Sequence, residues 1–205
     1  MNYKKSNFLI RKVHSLLAII PMGLFIILHI TLNSSVFYGG ITAYKTVINV
    51  MQNIPLITEA EIIIIAIPII FHAIYGLWIV YLAKNNVLTY TYYRNWAFYL
   101  QRITAVITLI YLLFHVAILR FLNHDASVII SVLNRTLQNP LFFILYVIGV
   151  LSAIYHFTNG IFSFLISWGV IVNDKSQKVL QYIVLLLFVL LGGLSVGILG
   201  KITYF

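Results

Sequence analysis

The chain has 205 residues, of which 62% are hydrophobic and only 8% charged, with a mean hydropathy of +1.02. Soluble domains carry about 25% charged residues, so this composition excludes an ordinary water-soluble fold and points to a membrane protein. The net charge of +9 would suggest nucleic acid in a soluble protein but here acts as a topology signal, and the absence of Cys excludes disulfides, cysteine-held clusters and cysteine-attached cofactors.

Five segments are long and apolar enough to cross about 30 Å of hydrocarbon as helices, roughly residues 13–32, 62–83, 96–119, 141–168 and 179–199. The first is read as a span rather than a signal peptide, because no small-residue cleavage site follows it. Their ends are marked by Asn33-Ser34-Ser35, Lys84-Asn85-Asn86, Asn123-His124-Asp125 and Asn173-Asp174-Lys175. Between the first two spans, Ile41, Tyr44, Val47, Ile48 and Met51 fall at helical spacing, which predicts a short amphipathic helix on the membrane surface. Pro21 and Pro68 are kink candidates, and Pro68 frees the carbonyl of Ile64. Arg135 through Asn139 reads as a short polar link before the fourth span. Gly193-x-x-x-Gly197 marks a helix contact in the fifth. Residues 1–205 therefore form a single all-α transmembrane domain, with no polar stretch long enough for a second.

Orientation follows from the basic residues. With the N-terminus in the cytoplasm, nine lie inside (Lys4, Lys5, Arg11, Lys12, Lys84, Arg94, Arg102, Lys175, Lys178) and four outside (Lys45, Arg120, Arg135, Lys201).

Four histidines, His29, His72, His115 and His156, sit within these apolar segments. An ionisable residue at membrane depth is costly and marks function by default. Phe71-His72-Ala73-Ile74-Tyr75-Gly76-Leu77-Trp78 and Tyr155-His156-Phe157-Thr158-Asn159-Gly160-Ile161-Phe162 share one pattern: aromatic-His-x-x-x-Gly-aliphatic-aromatic. His29 precedes the first copy by 43 residues and His115 the second by 41, so spans one and two repeat as spans three and four. Each copy crosses twice, so both have the same orientation, and a two-fold axis along the membrane normal pairs His29 with His115 and His72 with His156. Depth agrees: at 1.5 Å per residue, the first pair lies about 20–24 Å from the inner edge and the second about 16–18 Å.

Two neutral imidazoles on facing helices suit the iron of haem b, whose ligands and burial set its potential. Gly76 and Gly160 lie one turn beyond their histidines on the same face, leaving room for a porphyrin against the backbone. Each ligand's other nitrogen should donate to a carbonyl or hydroxyl. A bare divalent ion fits poorly, because no Asp or Glu at that depth would offset its charge. His14 can bond a haem propionate together with Ser15, Trp96 or Ser167, or can simply stabilise the helix start at the interface. Arg102 can snorkel inward or pair with a propionate. Trp78, Trp96 and Trp168 suit the interfacial belt, and His124 a solvated loop. The fifth span has no ligand and packs beside a four-helix dihaem core. No dinucleotide fingerprint, P-loop or nucleophile–base set occurs, so the chain is no enzyme on its own. The competing reading is a haem-free anchor or transporter.

The chain resembles the cytochrome b subunit of bacterial succinate dehydrogenases and fumarate reductases that use one membrane subunit with two haems. The resemblance rests on Arg11-Lys12-Val13-His14-Ser15-Leu16-Leu17, Pro55-Leu56, Phe71-His72-Ala73-Ile74-Tyr75-Gly76, Ala83-Lys84-Asn85-Asn86, Arg94-Asn95-Trp96, Leu100-Gln101-Arg102, His115, Gly149-Val150-Leu151-Ser152 and His156-Phe157-Thr158-Asn159-Gly160. Ala18 and Ala105 stand where the family's patterns have Gly, which leaves the four histidines intact. The resemblance implies axial ligation by His72/His156, proximal to an iron–sulfur subunit, and by His29/His115, distal from it. It also implies a flavoprotein partner beside the iron–sulfur subunit on the cytoplasmic side, a quinone, commonly menaquinone, as electron partner, and a multi-pass place in the bacterial plasma membrane. The outward position of the distal pair favours a quinone site near the outer ends of spans one and three, with no residue singled out.

Overall fold

Backbone N–H and C=O groups cannot be left unpaired in hydrocarbon, so the long apolar runs fold as helices. The computed structural model describes residues 3–121 and 125–205, and every regular element among them is helical. Five helices are long and apolar enough to span a membrane: Phe8–Asn33, Ile57–Leu82, Tyr93–Phe121, Pro140–Ser167 and Asp174–Thr203. They begin up to five residues before the hydropathy edges, because hydrogen bonding continues through polar first turns such as Lys12, Glu61 and Asp174. Asn139 and Asn173 start the fourth and fifth spans as N-caps: Asn139 Oδ1 accepts from Leu141 N at 3.0 Å, and Asn173 Oδ1 from Ser176 N at 2.8 Å. Pro140 follows its cap where a missing N–H costs nothing.

The first span packs on the second, the second on the third, the third on the fourth and the fourth back on the first. Spans one and three therefore face each other along one diagonal, and spans two and four along the other. The fifth lies against the fourth and against the later half of the first. Both prolines sit at places where the helix widens by one residue per turn. Pro21 lies inside the wide turn Ala18–Met22, and Pro68 directly follows the wide turn Glu61–Ala66. A third wide turn, Ala117–Phe121, closes the third span. Such turns accommodate an extra residue and occur often at functional sites.

The amphipathic segment after the first span is helical over Val36–Gln52, broken at Gly39 and Gly40, where Gly40 takes φ 59°. Tyr44 on it is buried, so this face turns to the bundle rather than to lipid. Burial pushes the Tyr44 phenol up to about 12, so it stays protonated and donates to Asn33 Oδ1 at 2.8 Å.

The link expected at Arg135–Asn139 is instead the end of a helix, Ala126–Gln138. Its cause is a cap and a stripe. Asp125 Oδ1 accepts from Val128 N and Ser127 N, which holds that carboxyl below its ordinary value. Ala126, Ile129, Ile130, Leu133 and Leu137 follow at helical spacing and are all buried. Neighbouring Asn123 and His124 lie outside the described residues. This helix, the helix after the first span and the ends of spans four and five enclose the main buried cluster at the end of the bundle far from the N-terminus.

In the fifth span Gly197 meets Phe37 and Gly192 meets Leu151, while Gly193 faces open space, so the expected pair is only half used. The tightest glycine contact joins spans three and four, where a Cβ on Gly149 would stand 2.4 Å from Tyr111. Gly149→Ala should therefore destabilise by about 1–3 kcal/mol, as overpacked interiors do, whereas Gly193→Ala should be neutral. Thermal denaturation in detergent, read by circular dichroism, checks both.

Candidate functional site

The diagonals bring the four membrane histidines together in two pairs. His29 and His115 have ring centroids 5.9 Å apart with planes at 85°, and His72 and His156 have centroids 6.0 Å apart with planes at 80°. Metal–nitrogen bonds of about 2.0–2.1 Å, with about 1.1 Å from each nitrogen to its ring centre, place two imidazoles on one metal about 6.3 Å apart. Each pair thus suits one metal ion held from both sides.

In three of the four rings Nδ1 already has a partner. His72 Nδ1 donates to the His14 carbonyl at 3.3 Å and His156 Nδ1 to the Gln101 carbonyl at 3.1 Å. Carbonyl oxygens only accept, so in both rings the proton sits on Nδ1 and the Nε2 lone pair is available to a metal. His115 Nδ1 is 3.2 Å from the Tyr111 hydroxyl, which lies one turn earlier on the same helix. Tyr111 and Tyr146 pack edge to face beside it, and Tyr146 also lines the His115 ring. His29 makes no ring hydrogen bond among the described residues; Phe25 packs against its ring, and Asn33 Nδ2 donates to its carbonyl at 2.7 Å.

Two imidazoles alone make a poor cage for a bare ion. Among the described residues no group of three or more His, Cys, Asp or Glu could hold a metal. A porphyrin brings its own four in-plane nitrogens and needs only two axial donors, which is what each pair offers. The glycines agree with a flat ligand. A Cβ on Gly76 would meet only His14 Nε2, at 3.5 Å, and one on Gly160 only Gln101 Nε2, at 3.7 Å, so the rest of each face is open.

The remaining expected residues gather at the N-terminal end. His14 stacks flat on His72, with centroids 4.1 Å apart and planes at 6°, and its Nε2 is buried without a partner. Ser15 Oγ donates to the Lys12 carbonyl and accepts from Trp168 Nε1 at 3.1 Å. Lys12 donates to the Ser167 carbonyl, and its ammonium lies 4.9 Å from the Trp168 ring centre. Arg102 snorkels: Nη1 reaches the Lys84 carbonyl at 3.3 Å and the guanidinium lies over Phe98, leaving Nε buried without a partner. Trp96 is exposed, its ring packs against Tyr99, and its indole N–H makes no hydrogen bond among the described residues.

Gln101 and Asn159 carry a role that reading the motifs did not assign. Gln101 Nε2 donates to the His156 carbonyl at 2.9 Å, and its Oε1 accepts from Asn159 Nδ2 at 2.7 Å. Asn159 also donates to the Ala97 carbonyl at 3.2 Å. An amide one turn inside an apolar span was the available signal. At the far end Arg120 pairs with Glu61 at 2.8 Å and with Thr58 at 3.2 Å, joining spans two and three. Both charged side chains are about a third exposed, so the pair is worth no more than ~1 kcal/mol.

Residues 83–194 match the family described as the succinate dehydrogenase/fumarate reductase transmembrane subunit. The succinate dehydrogenase cytochrome b558 subunit of Bacillus subtilis (strain 168) is 40% identical over 186 residues, covering 90% of this chain and 92% of that protein. With its five membrane-length helices, the chain belongs to the family of transmembrane subunits of succinate dehydrogenase and fumarate reductase.

Proposed function

We propose that the chain holds two haem b groups without covalent attachment, one between His72 and His156 and one between His29 and His115. In this reading it carries electrons between an iron–sulfur subunit and a membrane quinone, commonly menaquinone, as the anchor of a succinate:quinone oxidoreductase. The observation that carries the reading is two facing histidine pairs, near 6 Å between ring centres, on the two diagonals of one bundle. The name of the B. subtilis relative, a succinate dehydrogenase cytochrome b subunit, supports both the haem and the complex.

Haem supplies reversible one-electron transfer at its iron. The chain's residues supply the setting. The His14 and Gln101 carbonyls keep the Nδ1 protons of His72 and His156 in place, so each Nε2 lone pair is left for a metal. The Tyr111 hydroxyl lies 3.2 Å from His115 Nδ1 and can partner it as donor or acceptor. Gly76 and Gly160 keep side chains off the flat faces. Arg102 Nε and His14 Nε2, buried and unpartnered, suit propionate oxygens, with Ser15 and the Trp96 indole nearby in sequence and depth.

The positive-inside count supports a cytoplasmic N-terminus in a bacterial plasma membrane. The iron–sulfur and flavoprotein subunits then dock on the end that carries Lys12, Lys84, Arg94 and Arg102, nearer His72 and His156, and quinone exchanges electrons near the His29/His115 pair.

Pyridine haemochrome assay of the purified complex should approach two haems per chain; a value near zero in an intact preparation overturns the reading. Gentle detergent purification should recover a three-subunit complex with succinate:quinone activity. For the pairing, His29→Ala and His115→Ala should each remove the same spectral component, and His72→Ala or His156→Ala the other. Loss of different components within one pair would refute the pairing but not haem binding.

A further inference from the structure

The two halves of the repeat treat their ligands alike at a position to which the histidine pattern gives no such role. In the first half, the His14 carbonyl accepts from His72 Nδ1, and His14 Nε2 is the one atom facing Gly76. In the second, the Gln101 carbonyl accepts from His156 Nδ1, and Gln101 Nε2 is the one atom facing Gly160. His14 and Gln101 are therefore structural equivalents. Residue counting conceals this, because His14 precedes His29 by 15 residues and Gln101 precedes His115 by 14. One residue is worth about 100° of helix, which would turn His29 away from its partner. The wide turn Ala18–Met22 lies between His14 and His29 and absorbs that residue. The third span is regular from Gln101 to His115. Both relationships hold at once: the carbonyl stays on the ligand of the neighbouring span, and the later histidine still faces its partner across the diagonal.

We propose that Gln101 and His14 are paired positioning residues for the His72/His156 site, each fixing the ring plane of one ligand from the neighbouring span. The proposal rests on that pair holding one haem, as read above. The two act by different means. Gln101 closes a reciprocal clamp: its backbone carbonyl takes the His156 ring proton, while its amide donates to the His156 carbonyl and accepts from Asn159. The carbonyl alone could slide along the helix contact; the amide locks the two spans in register, so the ring has one orientation. His14 has no such amide. Its imidazole lies flat on His72 at 4.1 Å and fixes that ring by stacking. The result is two ligand planes held at 80°. Second-sphere groups of this kind set ring orientation and ligand basicity.

The test uses the whole complex and a signal that depends on the angle between the axial imidazole planes, namely the low-field electron paramagnetic resonance of each oxidised low-spin haem. His156→Ala identifies which of the two signals belongs to the His72/His156 site by removing it. Gln101→Met keeps length and volume but removes the clamp. It should retain both haems, move the low-field signal and the midpoint potential of the His72/His156 haem, and leave the other haem unchanged. His14→Gln installs the side chain that the equivalent position already accepts. It should also retain both haems and move the same signal, because the stacked ring is gone. An unchanged signal in both variants overturns the proposal, as do equal changes at both haems, which would mark a merely structural role. If Gln101→Met does not assemble, His14→Gln decides by the same criteria. Retention of both haems in His156→Ala would instead overturn the haem reading itself, so the two failures are distinguishable.

Discussion

A neutral imidazole has one nitrogen that donates and one that accepts, and within a bilayer neither can turn to water. Four such rings at membrane depth are the constraint on which the rest of this structure depends. Three of the four Nδ1 atoms are occupied: two by backbone carbonyls of the neighbouring span and one by a tyrosine hydroxyl. A carbonyl of one span can take the ring N–H of a histidine on another only when the two helices run side by side. The close contacts of span one with span two, and of span three with span four, are therefore part of what orients the histidines. In His72 and His156, whose Nδ1 protons are committed, the Nε2 lone pair is the one left free. The same requirement that lowers the cost of burying an imidazole thus aims it.

The pairs differ in how they are held. His72 and His156 answer to carbonyls, which can only accept, so their tautomers are fixed outright. His115 answers to a hydroxyl, which can donate as well as accept, and His29 has no ring partner among the described residues. Ligand basicity falls as the acceptor on the far nitrogen weakens. The proposed haem at His29/His115 therefore has softer axial support than the one at His72/His156. Two sites with the same ligand type in one bundle acquire different environments from the second sphere alone.

Most of this was legible in the sequence, for physical reasons. Bilayer thickness fixes span length, so hydropathy located all five helices and missed their polar first turns and the last turn of the fifth. The repeat carries the two-fold relation, which sets His29 opposite His115 and His72 opposite His156, as the ring distances show. What escaped notice was set by tertiary context. The helix Ala126–Gln138 is short and sits at the bundle's end, yet its cap at Asp125 and its stripe from Ala126 to Leu137 were readable once sought. Gln101 was visible only as part of a motif, because its role depends on a carbonyl and an amide acting across a helix contact that sequence does not show. The equivalence of His14 and Gln101 is hidden by the extra residue before His29, which becomes harmless only when a helix is allowed to widen.

Precision reaches the two pairs by separate routes. At the far end a buried cluster, the capped helix Ala126–Gln138, the Tyr44–Asn33 bond and the bond from Asn134 to the Ile202 carbonyl tie the first-loop helix and spans one, four and five together. The His29/His115 pair inherits its geometry from that packed frame, with Gly149 admitting Tyr111 so that spans three and four can close. At the N-terminal end the first span is joined to the fourth through Lys12, Ser167, Ser15 and Trp168, and His72 and His156 are held by ring bonds to the His14 and Gln101 carbonyls. A change in the far-end core should therefore reach one pair through backbone position, while a change at Gln101 reaches the other through a single ring. The bundle is one fold with two independent means of aiming its histidines, which lets each pair be tuned without disturbing the other.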